Sequence, residues 1–149
     1  DMGVARLLEF IVDNVPAPNQ VSNCPKTTAG DDIKFDAAAP TLLFAFKTAN
    51  EQHLGEVTYL KVMNGEVTES LDLINANTQG KERLSQILIC AGKNRQKVEK
   101  AVAGDIFCTI KLKDVKTNQS LASAKNSDQQ VTPIEFPKPI YTVAVKAAN

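Results

Sequence analysis

The stretch from Thr41 to Asn75 reads as three consecutive β-strands joined by tight turns, and that pattern leaves few folds open. Leu42, Phe44 and Phe46 alternate with Thr41, Leu43, Ala45 and Lys47, the spacing of a strand with one buried face. A second strand is predicted over about Leu54–Met63, with Thr58, Leu60 and Val62 on one side and Tyr59 and Lys61 on the other. Asn64-Gly65 then supplies residues that tolerate φ > 0, as a reversing turn requires. A third strand follows at Leu71–Asn75. The pattern predicts a β-meander, which needs further strands to bury its inner face.

The rest of the chain offers them. Asn77–Gly80 reads as a turn and Glu82–Ala91 as a longer strand. Its alternation is blurred at Ile87-Leu88-Ile89, which predicts burial on both faces or a bulge. Ala103-Gly104-Asp105 is a structural turn into a strand on which Ile106, Cys108, Ile110 and Leu112 share a face. Lys113–Ser120 is a polar turn, and short strands near Leu121 and over Val131–Phe136 would close the sheet. Many short strands between turns indicate a small barrel or sandwich, and closure removes exposed edges.

The flanks differ. Val4, Leu7, Leu8, Ile11, Val12 and Val15 follow helical spacing, and Pro16 and Pro18 end that helix. Its partner is either this barrel or a domain outside the chain; the completeness of the stripe favours the second. Residues 16–40 hold four prolines and read as a linker or long loop. After Pro137 and Pro139, Tyr141, Val143 and Val145 alternate again, a strand beyond a hinge that starts a next domain. Both ends look cut from something longer.

Composition narrows the function. With 17 basic and 17 acidic residues in 149, the chain is no strongly basic nucleic-acid binder, although a local patch remains open. Its 43% hydrophobic content is enough for a core. No apolar run approaches a membrane span and no secretory leader is visible, so a cytoplasmic location with no membrane partner is expected. Cys24, Cys90 and Cys108 form no C-x-x-C pair, and an odd, scattered set fits reduced thiols.

Catalytic signatures are weak. A phosphate-cradling P-loop needs G-x-x-x-x-G-K-[ST]. Gly80-Lys81 has Asn75 and Glu82 at the key places, and Gly92-Lys93 has Ile87 and Asn94. His53 is the sole histidine and reads as a solvated turn residue. A Cys–His nucleophilic pair is formally open, but Cys90 and Cys108 lie in apolar strands, where cysteine acts as a small hydrophobe. No pair of carboxylates stands out as acid and base. No catalytic residue, metal ligand or cofactor site is assigned. The basic stretch Lys93, Arg95, Lys97, Lys100 is either a solvated loop, helped by Glu99, or a contact to an RNA backbone.

Taken in order, GEVTYLKVMNGEV, GKERLSQILICAGKNRQKVEKAVAGDI, LKD and IEFPKPIYTVAVK resemble the second domain of bacterial elongation factor G, a translational GTPase. Lys61, Val62, Asn64, Gly65 and Val67 occupy the family's R-V-x-S-G-x-L places, and Ala103–Ile106 its A-G-D-I turn. Phe136, Pro137, Pro139 and Val145 resemble the opening of its third domain, and GVARLLEFIVDNVPAP the last helix of its GTPase domain. The resemblance implies an all-β fold, a six-stranded Greek-key closed barrel with a helix and a strand left over from neighbouring domains. It implies residues 1–18 as the GTPase-domain helix, 19–40 as linker, 41–131 as barrel, and 132–149 as linker and first strand of the third domain.

The same resemblance implies a non-catalytic, monomeric piece that packs on the GTPase and third domains, with GTP and magnesium held in the former. Its partner would be small-subunit ribosomal RNA during translocation of tRNA and messenger. Lys61, Asn64, Gly65 and Glu66 would face that RNA, with Lys93, Arg95 and Lys97 as further candidates. Ser70 stands where relatives have glycine, and Asn118 and Gln119 replace a Gly-Asp turn. Glu66 and Glu69 place negative charge where phosphate would approach, opposing docking by about 1 kcal/mol in a water-like dielectric. The matching domain of a ribosomal-protection resistance protein or a release-factor GTPase is the alternative within the superfamily. A stand-alone RNA-binding barrel and a flavin-binding barrel enzyme are alternatives of other classes.

Overall fold

The computed structural model describes residues 2–52, 55–92 and 94–146; His53 and Lys93, both singled out above, lie outside them. After a helix, α1 (Val4–Asn14), the chain forms ten strands: β1 (Leu42–Glu51), β2 (Gly55–Asn64), β3 (Glu66–Thr68), β4 (Asp72–Asn75), β5 (Lys81–Arg83), β6 (Ile87–Ala91), β7 (Asn94–Val98), β8 (Lys100–Val102), β9 (Ile106–Ile110) and β10 (Gln119–Ala122). Eight make one antiparallel sheet in the order β5-β4-β10-β1-β2-β9-β6-β7, and β3 pairs with β8.

Chain connectivity forces this sheet to curl. In the sheet order β5 and β6 lie six strand spacings apart, about 29 Å if the sheet were flat. Only residues 84–86 join them, a reach of about 14 Å. The sheet therefore bends round one interior. Leu43 and Ala45 of β1, Leu60 and Val62 of β2, Val67 of β3, Leu73 of β4, Ala101 of β8, Phe107 of β9 and Leu121 of β10 all meet there. The small β3–β8 pair continues that wall. Lys61↔Ile106 in the large sheet is followed by Glu66↔Val102 and Thr68↔Lys100 in the small one. β2–β3 is thus one bent strand lying beside another, β8–β9.

Four expectations change at this level. Asn64-Gly65 does not reverse the chain: Gly65 (φ +77°) makes the bend between β2 and β3. The meander is replaced by a long-range return, because β10 comes between β1 and β4. The strand expected over 82–91 splits at Leu84, whose N–H donates to Leu71 O and whose carbonyl accepts from Ser70 N. The basic stretch, read as a loop, forms β7 and β8.

β1 is buried on both faces. Leu43 and Ala45, not Leu42 and Phe44, point to the interior. Leu42, Phe44 and Met63 lie outside it, beneath Ile33, Phe35 and Val131. The proline-rich segment read as linker provides this cover. Lys26 pairs with Asp32, Thr27 bridges Val131, and Ile33 N–H donates to Pro25 O at 2.8 Å. Burying an Ile or Phe side chain contributes about 1.5–3 kcal/mol, which explains why so polar a segment lies down on the sheet.

Over 131–136 the only ladder contact among the described residues is that Thr27–Val131 bridge. Tyr141, Val143 and Val145 are exposed and form no ladder within the described chain, where no strand lies beside them. α1 buries none of its residues: Leu7, Leu8 and Phe10 are each more than half exposed.

Candidate nucleic-acid interface

The residues expected to face RNA begin at the Gly65 bend. Gly65 N–H donates to Asp36 O (2.8 Å), and its carbonyl accepts from Ala103 N (3.0 Å). A Cβ here would stand 2.7 Å from Thr41 Cα and 2.8 Å from Ala39 O, so only glycine fits. Asn64 Oδ1 accepts from Asp36 N at 3.1 Å, and Thr41 Oγ1 donates to Glu66 O at 2.9 Å. Gly104 and Asp105 buttress the bend from β8–β9. Gly104 N–H donates to Val62 O, Val62 N–H to Asp105 O, and Val102 N–H to Asp105 Oδ2. The bend is thus held on two sides by backbone bonds.

Lys61 stands beside it, half-buried, with Nζ 4.9 Å from the centroid of the Phe35 ring. That cation–π contact keeps the ammonium at the surface while its stem covers apolar area.

Both carboxylates that seemed hostile to phosphate are neutralised by neighbours. Glu66 pairs with Lys100 at 2.8 Å, and Glu69 with Lys97 at 2.9 Å. Lys100 is brought to the bend because β8 pairs with β3, and Lys97, at the end of β7, reaches it through Glu69. Lys61, Asn64, Gly65, Glu66, Lys97 and Lys100 therefore form one strip; Lys100 was part of the basic stretch but not among the expected RNA contacts. The Lys100–Glu66 pair is 53% and 54% exposed, so it is weak, about 0–1 kcal/mol, and exchangeable, whereas Lys97, itself 62% exposed, meets a Glu69 oxygen that is buried.

Arg95 belongs to a different group. Its guanidinium is tied to the Glu51 carboxylate, which also accepts from Tyr59 OH at 3.2 Å. Glu51 holds the Arg95 pKa above its ordinary value. The Tyr59 phenol is also raised, chiefly by burial. Lys47 Nζ lies 5.2 Å from the Tyr59 ring, and Phe46 packs 6.3 Å away.

Close by are two thiols that look unrelated in sequence. Cys90 Sγ and Cys108 Sγ are 2.8 Å apart. Their proximity depends on the β6–β9 register, and no local pattern announces it.

Among the described residues no cluster of three or more His, Cys, Asp or Glu side chains could hold a metal ion, and no helix is long and apolar enough to cross a membrane. A curled antiparallel sheet wrapped round one interior defines the class: a small β-barrel domain. Residues 40–124 match the family described as elongation factor G domain 2, and the chain belongs to that family. It is 35% identical to elongation factor G 1 of Bdellovibrio bacteriovorus, covering 99% of this chain and 22% of that protein. It is 32% identical to elongation factor G of Orientia tsutsugamushi, covering 97% and 21%. The chain thus spans about a fifth of the length of these curated relatives. A crystal structure of a protein from Thermus thermophilus superposes with a TM-score of 0.69 over 93% of this chain and 19% of that one, at 24% identity, a likeness of fold.

Proposed function

We propose that this chain is a non-catalytic barrel domain of a cytoplasmic, elongation factor G-like GTPase, and that it rests on small-subunit ribosomal RNA during translocation. The match of residues 40–124 to elongation factor G domain 2 carries the reading. On this reading residues 1–18 end a GTPase domain that holds GTP and magnesium, 19–40 link it to the barrel at 41–131, and 132–149 lead into a third domain. The parent acts as a monomer.

The bend supplies the contact. Gly65 is itself buried and shapes the bend, and Lys61 and Asn64 flank it at the surface. Lys100 exchanges Glu66 for phosphate oxygens at little cost, since both members of that pair are about half exposed, whereas Lys97 would leave Glu69 with its paired Oε1 buried. Lys93 is a further candidate from the basic stretch of the sequence. Arg95 serves less directly, because leaving Glu51 would strip a partly buried carboxylate of its partner.

The test is binding of the full-length protein carrying this sequence to small ribosomal subunits across a salt series. Lys97→Glu with Lys100→Glu should lower affinity about tenfold and reduce the slope of log K against log salt by about 1 per lysine. Lys125→Glu, away from the strip, should change neither. Equal affinity and equal slope for the double variant would overturn the assignment of the strip. A full-length sequence without an upstream P-loop would overturn the GTPase parent.

A further inference from the structure

We propose that Cys90 and Cys108 form a redox-responsive pair that closes into an intramolecular disulfide, stapling the β6–β7 hairpin to β9. The geometry provides three supports. The sulfurs lie 2.8 Å apart, so forming a bond of about 2.05 Å asks them to move together by less than about 1 Å. They sit on neighbouring antiparallel strands, since Leu88, two residues before Cys90, is the register partner of Cys108. The ladder that joins the hairpin to the sheet is also short. Leu88↔Cys108 is the one residue pair in the β6–β9 ladder among the described residues, whereas β2 and β9 share five.

The two thiols are not equivalent, and that sets the order of events. Cys108 is buried, and burial pushes its pKa up to about 12, so it holds its proton. Cys90 is half-exposed and faces Arg95 in the β6–β7 register. Cys90 is therefore the sulfur that an oxidant in solution reaches first.

With a low-molecular-weight disulfide such as oxidised glutathione as the oxidant, the Cys90 thiolate attacks one sulfur and expels glutathione thiolate. A mixed disulfide is left on Cys90. Cys108 then attacks the Cys90 sulfur, the second glutathione leaves and takes up the Cys108 proton, and the S–S bond forms. Two electrons pass from the dithiol to glutathione disulfide, which is recovered as two thiols. A dithiol such as dithiothreitol runs the same exchange backwards.

The consequence is mechanical. A closed loop from residue 90 to residue 108 ties both strands of the basic hairpin to the centre of the sheet. It restricts an arm that in the dithiol form is joined to β9 by one ladder pair, anchored besides by Ile87 in the interior and by the Arg95–Glu51 and Lys97–Glu69 ion pairs.

The purified chain, incubated with oxidised glutathione, is analysed by intact mass, free-thiol titration and peptide mapping without reduction. Expected are a loss of about 2 Da, a fall from three titratable thiols to one at Cys24, and a cross-linked peptide joining Cys90 to Cys108. Dithiothreitol restores three thiols. Amide hydrogen exchange over residues 87–98 slows in the oxidised form and returns on reduction. Cys90→Ser, altered at a half-exposed site, keeps the fold by circular dichroism and shows neither the mass loss nor the slowed exchange. Three resistant thiols, a stable glutathione adduct on Cys90, or a bridge that involves Cys24 or a second chain would each overturn the proposal.

Discussion

At the scale of single residues, backbone conformation decides more than side-chain chemistry. Gly65→Ala combines a left-handed φ, about 1–2 kcal/mol for a residue with Cβ, with a clash against Thr41 and Ala39 backbone. Overpacking adds about 1–3 kcal/mol, so urea unfolding should show a loss of between about 2 and 5 kcal/mol. Ser70 lies in the same left-handed region (φ +61°) at an exposed site where the family pattern has glycine. Ser70→Gly should stabilise by about 0.5–1 kcal/mol in the same assay. Cys108 adds an alkaline signature. Its thiol ordinarily titrates near 9.0 and is pushed up to about 12 in the fold, mainly by burial. Between those values the unfolded chain has released a proton that the folded chain keeps, so stability falls as pH rises through this window. Tyr59, also raised, adds the same sign. Stability measured from pH 8 to 11 should therefore fall less steeply in Cys108→Ala than in the native chain.

At the scale of elements, the two flanking segments reverse the roles their composition suggests. α1 has the most regular apolar stripe in the sequence, yet its side chains touch no core. Removing residues 1–16 should shift the melting temperature by less than about 2 °C, well under what 1 kcal/mol would produce. The linker-like stretch is different. Ile33 is 1% exposed beneath the outer face of β1, so Ile33→Ala should cost about 2–5 kcal/mol in calorimetry or urea unfolding. Period-two spacing made β1, β2 and β9 legible, because each is at least five residues long and puts successive side chains on opposite faces of the sheet. It misassigned the inward side of β1 because Leu42 and Phe44 are covered by residues 33–35, a contact that no local window contains. It missed β3 because Glu-Val-Thr is too short and polar to display a period. The strip proposed to meet RNA was half legible. Lys61, Asn64 and Gly65 follow from motif order, whereas the neutralisation of Glu66 and Glu69 required the β3–β8 register.

At the scale of the whole molecule, the curled sheet depends on one short crossing between strands that lie far apart in the sheet order. Leu84 stands in that crossing with no exposed surface, packed in the interior, and its backbone bonds to Ser70 and Leu71 tie β5 and β4 to the chain entering β6. Leu84→Ala removes buried volume worth about 2–5 kcal/mol, as would Leu43→Ala in the middle of β1. Similar losses should nevertheless open the molecule differently. Leu43 sits in a strand laddered on both sides, to β10 and to β2, so its loss should lower protection evenly across the sheet. Leu84 holds a seam where no ladder joins β5 to β6 among the described residues, so its loss should expose the seam first. Native-state hydrogen exchange distinguishes the two outcomes. In Leu84→Ala the amides of residues 81–98 should exchange faster as one group while those of β1 and β2 keep most of their protection. Uniform acceleration in both variants would mean that the seam shares the stability of the sheet, and that the β6–β7 arm moves only when the whole barrel opens.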